Sequence, residues 1–424
     1  MALTREAVWW RSTWNGVLAG ASRLGWRGAV VDVDLLLERA RREADADDFG
    51  DLEFLEPMRV LVREFGERAR ADVIGRQAFV QVLLGCLVNR LRIRAAVRAH
   101  PQLAQVPIVA PLFIVGLPRT GTTLLQKLLA GLPGLRTPLR WETSVGAAPP
   151  AVATKRQINA QIRHARDESN VVNALSPNLA SAHEIGARLP EECNPLLMTS
   201  LRALFFCLLF DCPDYEDQLY ASGFRHAYDW HKLHLQWLSY GQPASTWSLK
   251  APAHLASLDS LLATYPDARI VFMHRDPVES VPSMGGLSAC LRMLVSPTID
   301  RAEIGRVLLP TLRRMQEAAA TVRERWPATA PRYLDLRYDD LVRDPAATVR
   351  GVLRHFDLPD GPGVAAALDE HLRASAQQRP RRPHRYSLPE FALDAGTIRA
   401  SLDRECAWLE GARASAPVAG ESSA

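Results

Sequence analysis

Apolar positions in the first hundred residues recur at helical spacing. Val33 to Arg41 carries one such stripe. Asp51 to Arg70 places Leu52, Leu55, Met58, Leu61 and Val62 on one side, and Arg76 to Val97 does the same with Phe79, Val82, Leu83, Leu87 and Leu91. Pro101 and Pro107 punctuate the end of this stretch. From residue 109 the pattern changes: short apolar runs alternate with helical segments, the mark of a parallel sheet. Leu112–Val115 and Arg269–His274 read as buried strands, and Arg332–Leu336 as a third, weaker one. The expected fold is α/β, with a P-loop-like central parallel sheet flanked by helices. Its expected parts are a helical N-terminal region over 1–108, an α/β domain over 109–410 and a flexible tail over 411–424.

The most informative stretch lies where the first strand ends. Phe113-Ile-Val-Gly-Leu-Pro-Arg-Thr-Gly-Thr-Thr123 runs from a strand through a glycine-bounded turn into an amphipathic helix. Such a turn aims free backbone N–H groups and the positive helix end at one point, which makes an anion cradle. The Gly116-x4-Gly121 spacing is that of a P-loop, but Thr122 stands where a nucleoside triphosphatase needs lysine. Arg119 supplies a cation from inside the loop instead. A second anion site is expected at the end of the Arg269–His274 strand, where Arg275 precedes the turn at Asp276-Pro277 and Ser283 follows eight residues on. In an open α/β sheet, ligands bind at the carboxyl ends of strands, so both sites should lie on one edge. Two separated anion sites suit a nucleotide with charged groups at both ends.

Composition narrows the field. At 424 residues, 47% hydrophobic and 23% charged, the chain has a soluble globular composition. A net charge of +4 is too mild to argue for nucleic acid as a partner. The six cysteines form no C-x-x-C or regular framework, so they read as buried thiols of a reducing compartment. The N-terminus has no signal pattern, and the longest apolar run, Leu196 to Phe210, is interrupted at Thr199, Ser200 and Arg202. That run reads as a buried helix, with the wall of an apolar pocket as its functional alternative. A cytoplasmic location without an integral membrane segment is the expectation. His226, His231 and His234 have no acidic or cysteine partner at ligand spacing and read as structural or surface residues, so no metal is expected.

These segments resemble sulfotransferases that use 3′-phosphoadenosine 5′-phosphosulfate (PAPS). Pro118-Arg-Thr-Gly-Thr-Thr123 is similar to their 5′-phosphosulfate loop, and Arg275 to Ser283 to their 3′-phosphate motif. Trp247-Ser-Leu-Lys-Ala-Pro-Ala-His254, then Tyr265-Pro-Asp-Ala268, leads into the second motif as in the family. Tyr338-Asp-Asp-Leu-Val-Arg-Asp-Pro345 resembles a segment whose tyrosine lies near the adenine. The N-terminal helices and His384-Arg-Tyr-Ser-Leu-Pro-Glu-Phe391 resemble a bacterial branch. The likeness covers roughly 109–410. The chain departs from the cytosolic phenol and steroid enzymes in placing Arg119 at their loop lysine and in lacking their terminal Arg-Lys-Gly. The arginine version of the loop resembles instead the tyrosylprotein sulfotransferases, which implies a glutamate base after the loop helix and a Lys-x-Pro lysine that supports transfer. Glu142 and Lys250 occupy the comparable places.

The resemblance implies transfer of a sulfuryl group from PAPS to a hydroxyl, giving a sulfate ester and 3′-phosphoadenosine 5′-phosphate, without metal. It implies Glu142, Lys250 and Arg119 as catalytic residues. The expected nucleotide contacts are Arg119, Thr120, Gly121, Thr122, Thr123, Arg275, Ser283, Tyr338, His384 and Arg385. Chemistry supports these roles: a placed carboxylate takes the acceptor proton, and a cation meets charge growing on the leaving phosphate. His183 is the reserve base, and His183-Glu184 with Glu191-Glu192, around Pro190, are candidates for the acceptor cleft. Arg379, Arg381, Arg382, His384 and Arg385 form the densest basic cluster, either a segment that closes over the 3′-phosphate or a solvated run. The acceptor is a small-molecule or lipid hydroxyl, and a homo-oligomer is left open. The alternatives are a nucleotide-dependent kinase, disfavoured by Thr122, and a non-catalytic nucleotide-binding protein that would not need Glu142.

Overall fold

The computed structural model describes residues 11, 15–17, 20, 30–179, 184–243, 245–325, 332–377 and 386–414. Five parallel strands form the centre: β1 (Leu112–Val115), β2 (Leu135–Arg136), β3 (Thr246–Lys250), β4 (Arg269–His274) and β5 (Tyr333–Arg337), in the order β2-β3-β1-β4-β5. β1 is fully buried and pairs on both sides, Ile114 with Lys250 and Val115 with Phe272. Its unbroken apolar run is what burial on both faces of a parallel sheet requires. β3 was legible only as a motif that leads into β4; Ser248 and Lys250 broke the apolar run that would have marked it as a strand.

The helical N-terminal region is present. Helices run over Val33–Ala44, Leu55–Arg68 and Val73–Ala99. The last starts three residues before the periodicity does, because Asp72 caps it by accepting the Gly75 N–H at 2.7 Å. Leu52 does not join the apolar stripe assigned to it; it precedes the helix and is 61% exposed. Phe54, Met58, Leu61, Phe79, Leu83 and Leu87 share one continuous core with Phe113 of β1 and Phe272 of β4.

Leu196 to Phe210 is not the single buried helix expected. It forms two short helices, Asn194–Met198 and Phe206–Leu209, separated at Leu201, whose φ is 56°. That left-handed residue redirects the chain, so Met198, Leu204, Phe205 and Leu208 turn together toward one cavity.

Candidate active site

The carboxyl ends of the strands assemble the site, because parallel order puts every strand-to-helix turn on the same edge. β1 delivers the loop 116–121 and the helix Thr122–Leu129 behind it. β3 delivers Lys250 as its last residue, β4 delivers Arg275 directly after His274, and β5 delivers Tyr338 directly after Arg337. The two loop glycines are required by space as well as by torsion. A Cβ on Gly116 (φ 157°) would stand 2.5 Å from the Met273 carbonyl oxygen, and one on Gly121 (φ 96°) 2.7 Å from the Tyr338 ring. Thr120 ties the loop down from within, its hydroxyl donating to the Leu117 carbonyl at 2.8 Å. Gly121 occupies the N-cap of the loop helix without a capping side chain, so the first amides of that helix keep their outward donors. Thr122 is buried, while Thr123 faces Lys250.

Arg119 is itself left-handed, with φ 71°, and this turns its side chain toward the second motif. Its Nε donates to the Ser283 hydroxyl at 3.1 Å, and Arg275 donates back to the Arg119 carbonyl at 3.2 Å. The two anion sites expected to be separate therefore form one continuous surface. Their parent strands, β1 and β4, are hydrogen-bonded neighbours, and the turns that follow them emerge side by side. Burial, and next the charge of Arg275, holds the Arg119 guanidinium below its ordinary pKa. Such a pair of cations is the electrostatic complement of a polyanion. Arg275 rests at present on the Tyr338 ring, 4.1 Å from its centroid, and pairs with Glu279 at 3.0 Å. Tyr386 packs against Gly286 of the helix that carries Ser283, a neighbour the sequence did not single out.

Lys250 is fully buried. Its ammonium donates to the Thr123 hydroxyl at 3.2 Å and forms an ion pair with Glu192. The Cys193 amide donates to the Lys250 carbonyl at 2.8 Å, which fixes the Glu191-Glu192 segment beside the end of β3. Glu192 also accepts from Asn194 at 2.6 Å, and Glu191 is held by Arg140 at 2.9 Å. Glu191 and Glu192, which follow Pro190, thus line the cleft, whereas Glu184 is taken by Lys127 at 2.7 Å and does not.

Glu142 stands differently from its expected role. One carboxylate oxygen accepts from Arg136 at 3.1 Å and the other from the Leu139 amide at 2.9 Å, closing the short helix Arg140–Thr143 on itself. It does not line the cavity, although Arg140, Thr143 and Ser144 around it do. One turn of a 3₁₀ helix sends neighbouring side chains in different directions, and Glu142 takes the inward one. His183, His384 and Arg385, with the rest of the basic cluster 379–385, lie outside the described residues.

A cavity of about 340 Å³ opens beside this centre. Pro118 of the loop lines it, as do the polar side chains of Arg140, Glu168, Glu191, Glu192 and Asn194. Its body is apolar: Val82 and Cys86 from the N-terminal helices, Met198, Leu204, Phe205 and Leu208 from the broken segment, and Met284, Leu287, Leu308 and Met315 from the helices Pro277–Arg292 and Arg301–Arg323. A mostly apolar concavity lined in part by polar groups is how small-molecule sites are built.

Comparisons with known proteins bear on the family and the fold. A profile of the sulfotransferase family matches residues 111–362. The omega-hydroxy-beta-dihydromenaquinone-9 sulfotransferase Stf3 of Mycobacterium tuberculosis (strain CDC 1551 / Oshkosh) is 25% identical over 281 residues, covering 63% of this chain and 68% of that protein. The crystal structure of sulfotransferase STF1 from Mycobacterium tuberculosis H37Rv superposes with a TM-score of 0.76 at 29% identity, covering 87% of this chain and 98% of the other. Sulfotransferase STF9 from Mycobacterium avium shares the fold, with a TM-score of 0.79 at 24% identity over 88% and 96% of the two chains.

Proposed function

The chain belongs to the sulfotransferase family, and on that footing we propose how its residues divide the work of moving a sulfuryl group from PAPS to a hydroxyl. Family membership implies PAPS as the donor, and the residues present suit it. The loop amides with Arg119 form a cradle for a phosphosulfate, and Arg275 with Ser283 supply a charged and a hydroxyl donor for a 3′-phosphate. Sulfuryl transfer is mostly positioning and electrostatics, as phosphoryl transfer is. Lys250, beside Thr123 at the loop helix, is the cation that meets charge growing on the departing phosphate oxygen.

Glu192 takes the acceptor proton. The observation that carries this assignment is that Glu192 alone is bonded to Lys250 and also lines the cavity among the acidic candidates 142, 191 and 192. When Lys250 turns to the donor, the carboxylate it held is released toward an incoming hydroxyl. Glu142 keeps a supporting role, bracing the turn that carries Arg140, which in turn holds Glu191.

The acceptor is an apolar, lipid-like alcohol that enters hydroxyl first. The cavity wall supports this reading, and the name of the Stf3 relative, a sulfotransferase of a hydroxylated menaquinone, points the same way. The test is incubation of the enzyme with PAPS carrying radioactive sulfur and panels of long-chain, isoprenoid and sugar alcohols. Label in an extractable lipid ester supports the proposal. Label only in sugar esters would overturn the acceptor class, and transfer of phosphate from ATP would overturn the reaction.

A further inference from the structure

Three side chains outside the reaction centre meet in the core: Cys193, His231 and His254. All are fully buried, and one donor atom from each lies within 4.8 Å of the other two. They come from three segments far apart in sequence. Cys193 follows Glu192, His231 sits in the helix Arg225–Ser239, and His254 lies four residues past Lys250. No sequence spacing announces such a set, which is why the histidines at 226, 231 and 234 read as an unpromising group.

Proton accounting shows what the cluster lacks. Ser257 donates its hydroxyl proton to the Ala253 carbonyl at 3.0 Å. The Tyr228 hydroxyl, 2.9 Å from Ser257, must then donate to that oxygen. Tyr228 is left as an acceptor toward His254 Nδ1, 2.7 Å away, so that nitrogen carries the ring proton. His254 Nε2 is consequently a bare lone pair, and it has no hydrogen-bond partner. At His231, Nδ1 is 2.8 Å from the Tyr265 hydroxyl and Nε2 has no hydrogen-bond partner among the described residues; with the ring proton on Nδ1 this histidine presents its Nε2 lone pair in the same way. A ring nitrogen left without a partner in the core costs about 1–3 kcal/mol. Nδ1–H held by an outer partner, with Nε2 free, is how a protein presents histidine to a metal.

We propose that Cys193, His231 and His254 bind a zinc ion through Sγ and the two Nε2 atoms. A thiolate with two imidazoles is a donor set that suits zinc. The ion displaces the thiol proton, Cys–SH plus Zn²⁺ giving a zinc thiolate and H⁺, while the neutral imidazoles donate their lone pairs without change of charge. Burial keeps both rings neutral, His254 down at about 3, so neither competes for protons at physiological pH. Lys250 lies close enough to push His254 lower still and opposes a cation there; the thiolate and the Glu192 carboxylate bonded to Lys250 offset it. None of the three ligands lines the cavity, so the ion has a holding role: it clamps the segment bearing Glu192 to the segment bearing Lys250.

The test is metal analysis of the untagged full chain, purified from zinc-supplemented cells and dialysed against a weak chelator. About one zinc per chain is expected, and Cys193→Ser should lose it. Cobalt in place of zinc should show thiolate-to-metal charge-transfer absorption that Cys193→Ser lacks. Zinc added to stripped wild type should raise its unfolding midpoint by about 2–4 °C and leave Cys193→Ser unchanged. Folded wild type holding less than about a tenth of an equivalent, with no response to added zinc, would overturn the proposal whether or not any variant folds. Because no readout uses sulfuryl transfer, failure here leaves the enzymatic reading standing.

Discussion

Replacing His274 with glutamine should change how stability depends on pH. His274 ends β4, immediately before Arg275, and is buried between two carboxylates: Asp335 of β5 at 2.7 Å and Glu405 of the helix Asp403–Ala414 at 3.2 Å. Burial by itself would lower the imidazole pKa, but the charges and hydrogen bonds of Glu405 and Asp335 outweigh it and raise the pKa from 6.5 to about 9. At about 1.4 kcal/mol per tenfold change in proton affinity, this corresponds to about 3 kcal/mol. Because the folded pKa lies above the unfolded one, the contribution is fully present below pH 6.5, declines as pH rises, and is lost through pH 9. Urea unfolding of wild type and His274→Gln between pH 6 and 10 measures it, the difference between the two removing the background of other groups. The variant should be less stable by about 3 kcal/mol at the acid end and nearly equal to wild type at the alkaline end. A difference that stays constant across that range, or grows toward high pH, would refute a protonated His274. Since Glu405 also accepts the Arg275 amide, at 3.4 Å, nucleotide affinity should weaken along the same curve.

Three further outcomes follow from the site. Glu192→Gln should slow turnover by about 10²–10⁴-fold with little change in affinity for adenosine 3′,5′-bisphosphate, whereas Glu142→Gln should cost about 1–3 kcal/mol of stability and keep turnover; steady-state kinetics beside urea unfolding separates them, and the reverse pattern would restore Glu142 as the base. Lys250→Ala should reduce the transfer rate more than product-nucleotide binding, because its charge is needed as the phosphate leaves, and equal losses in both would argue for ground-state binding. Calorimetry should find adenosine 3′,5′-bisphosphate binding about ten- to a hundredfold tighter than adenosine 5′-monophosphate, with Arg275→Ala removing most of the gap; indifference to the 3′-phosphate, with tight magnesium-dependent ATP binding, would favour a kinase.

Features whose physics is local can be read along the chain. An apolar run, two glycines and a threonine pair specify a strand, a turn and a helix start, because each depends on neighbours within a few residues. The helical N-terminal region, the buried strands β1 and β4 and the cations at 119, 250 and 275 were legible for that reason. Tertiary structure alone decided what meets what. Adjacent β1 and β4 brought the two expected anion sites side by side, and packing beyond a left-handed Leu201 turned an apolar run into the wall of a cavity. Pairing of the Cys193 amide with the end of β3 brought Glu192 to Lys250, 58 residues away in sequence. Hydrophobic period and turn chemistry act along the chain, whereas the direction of a carboxylate is set by which donors happen to surround it once distant segments have packed.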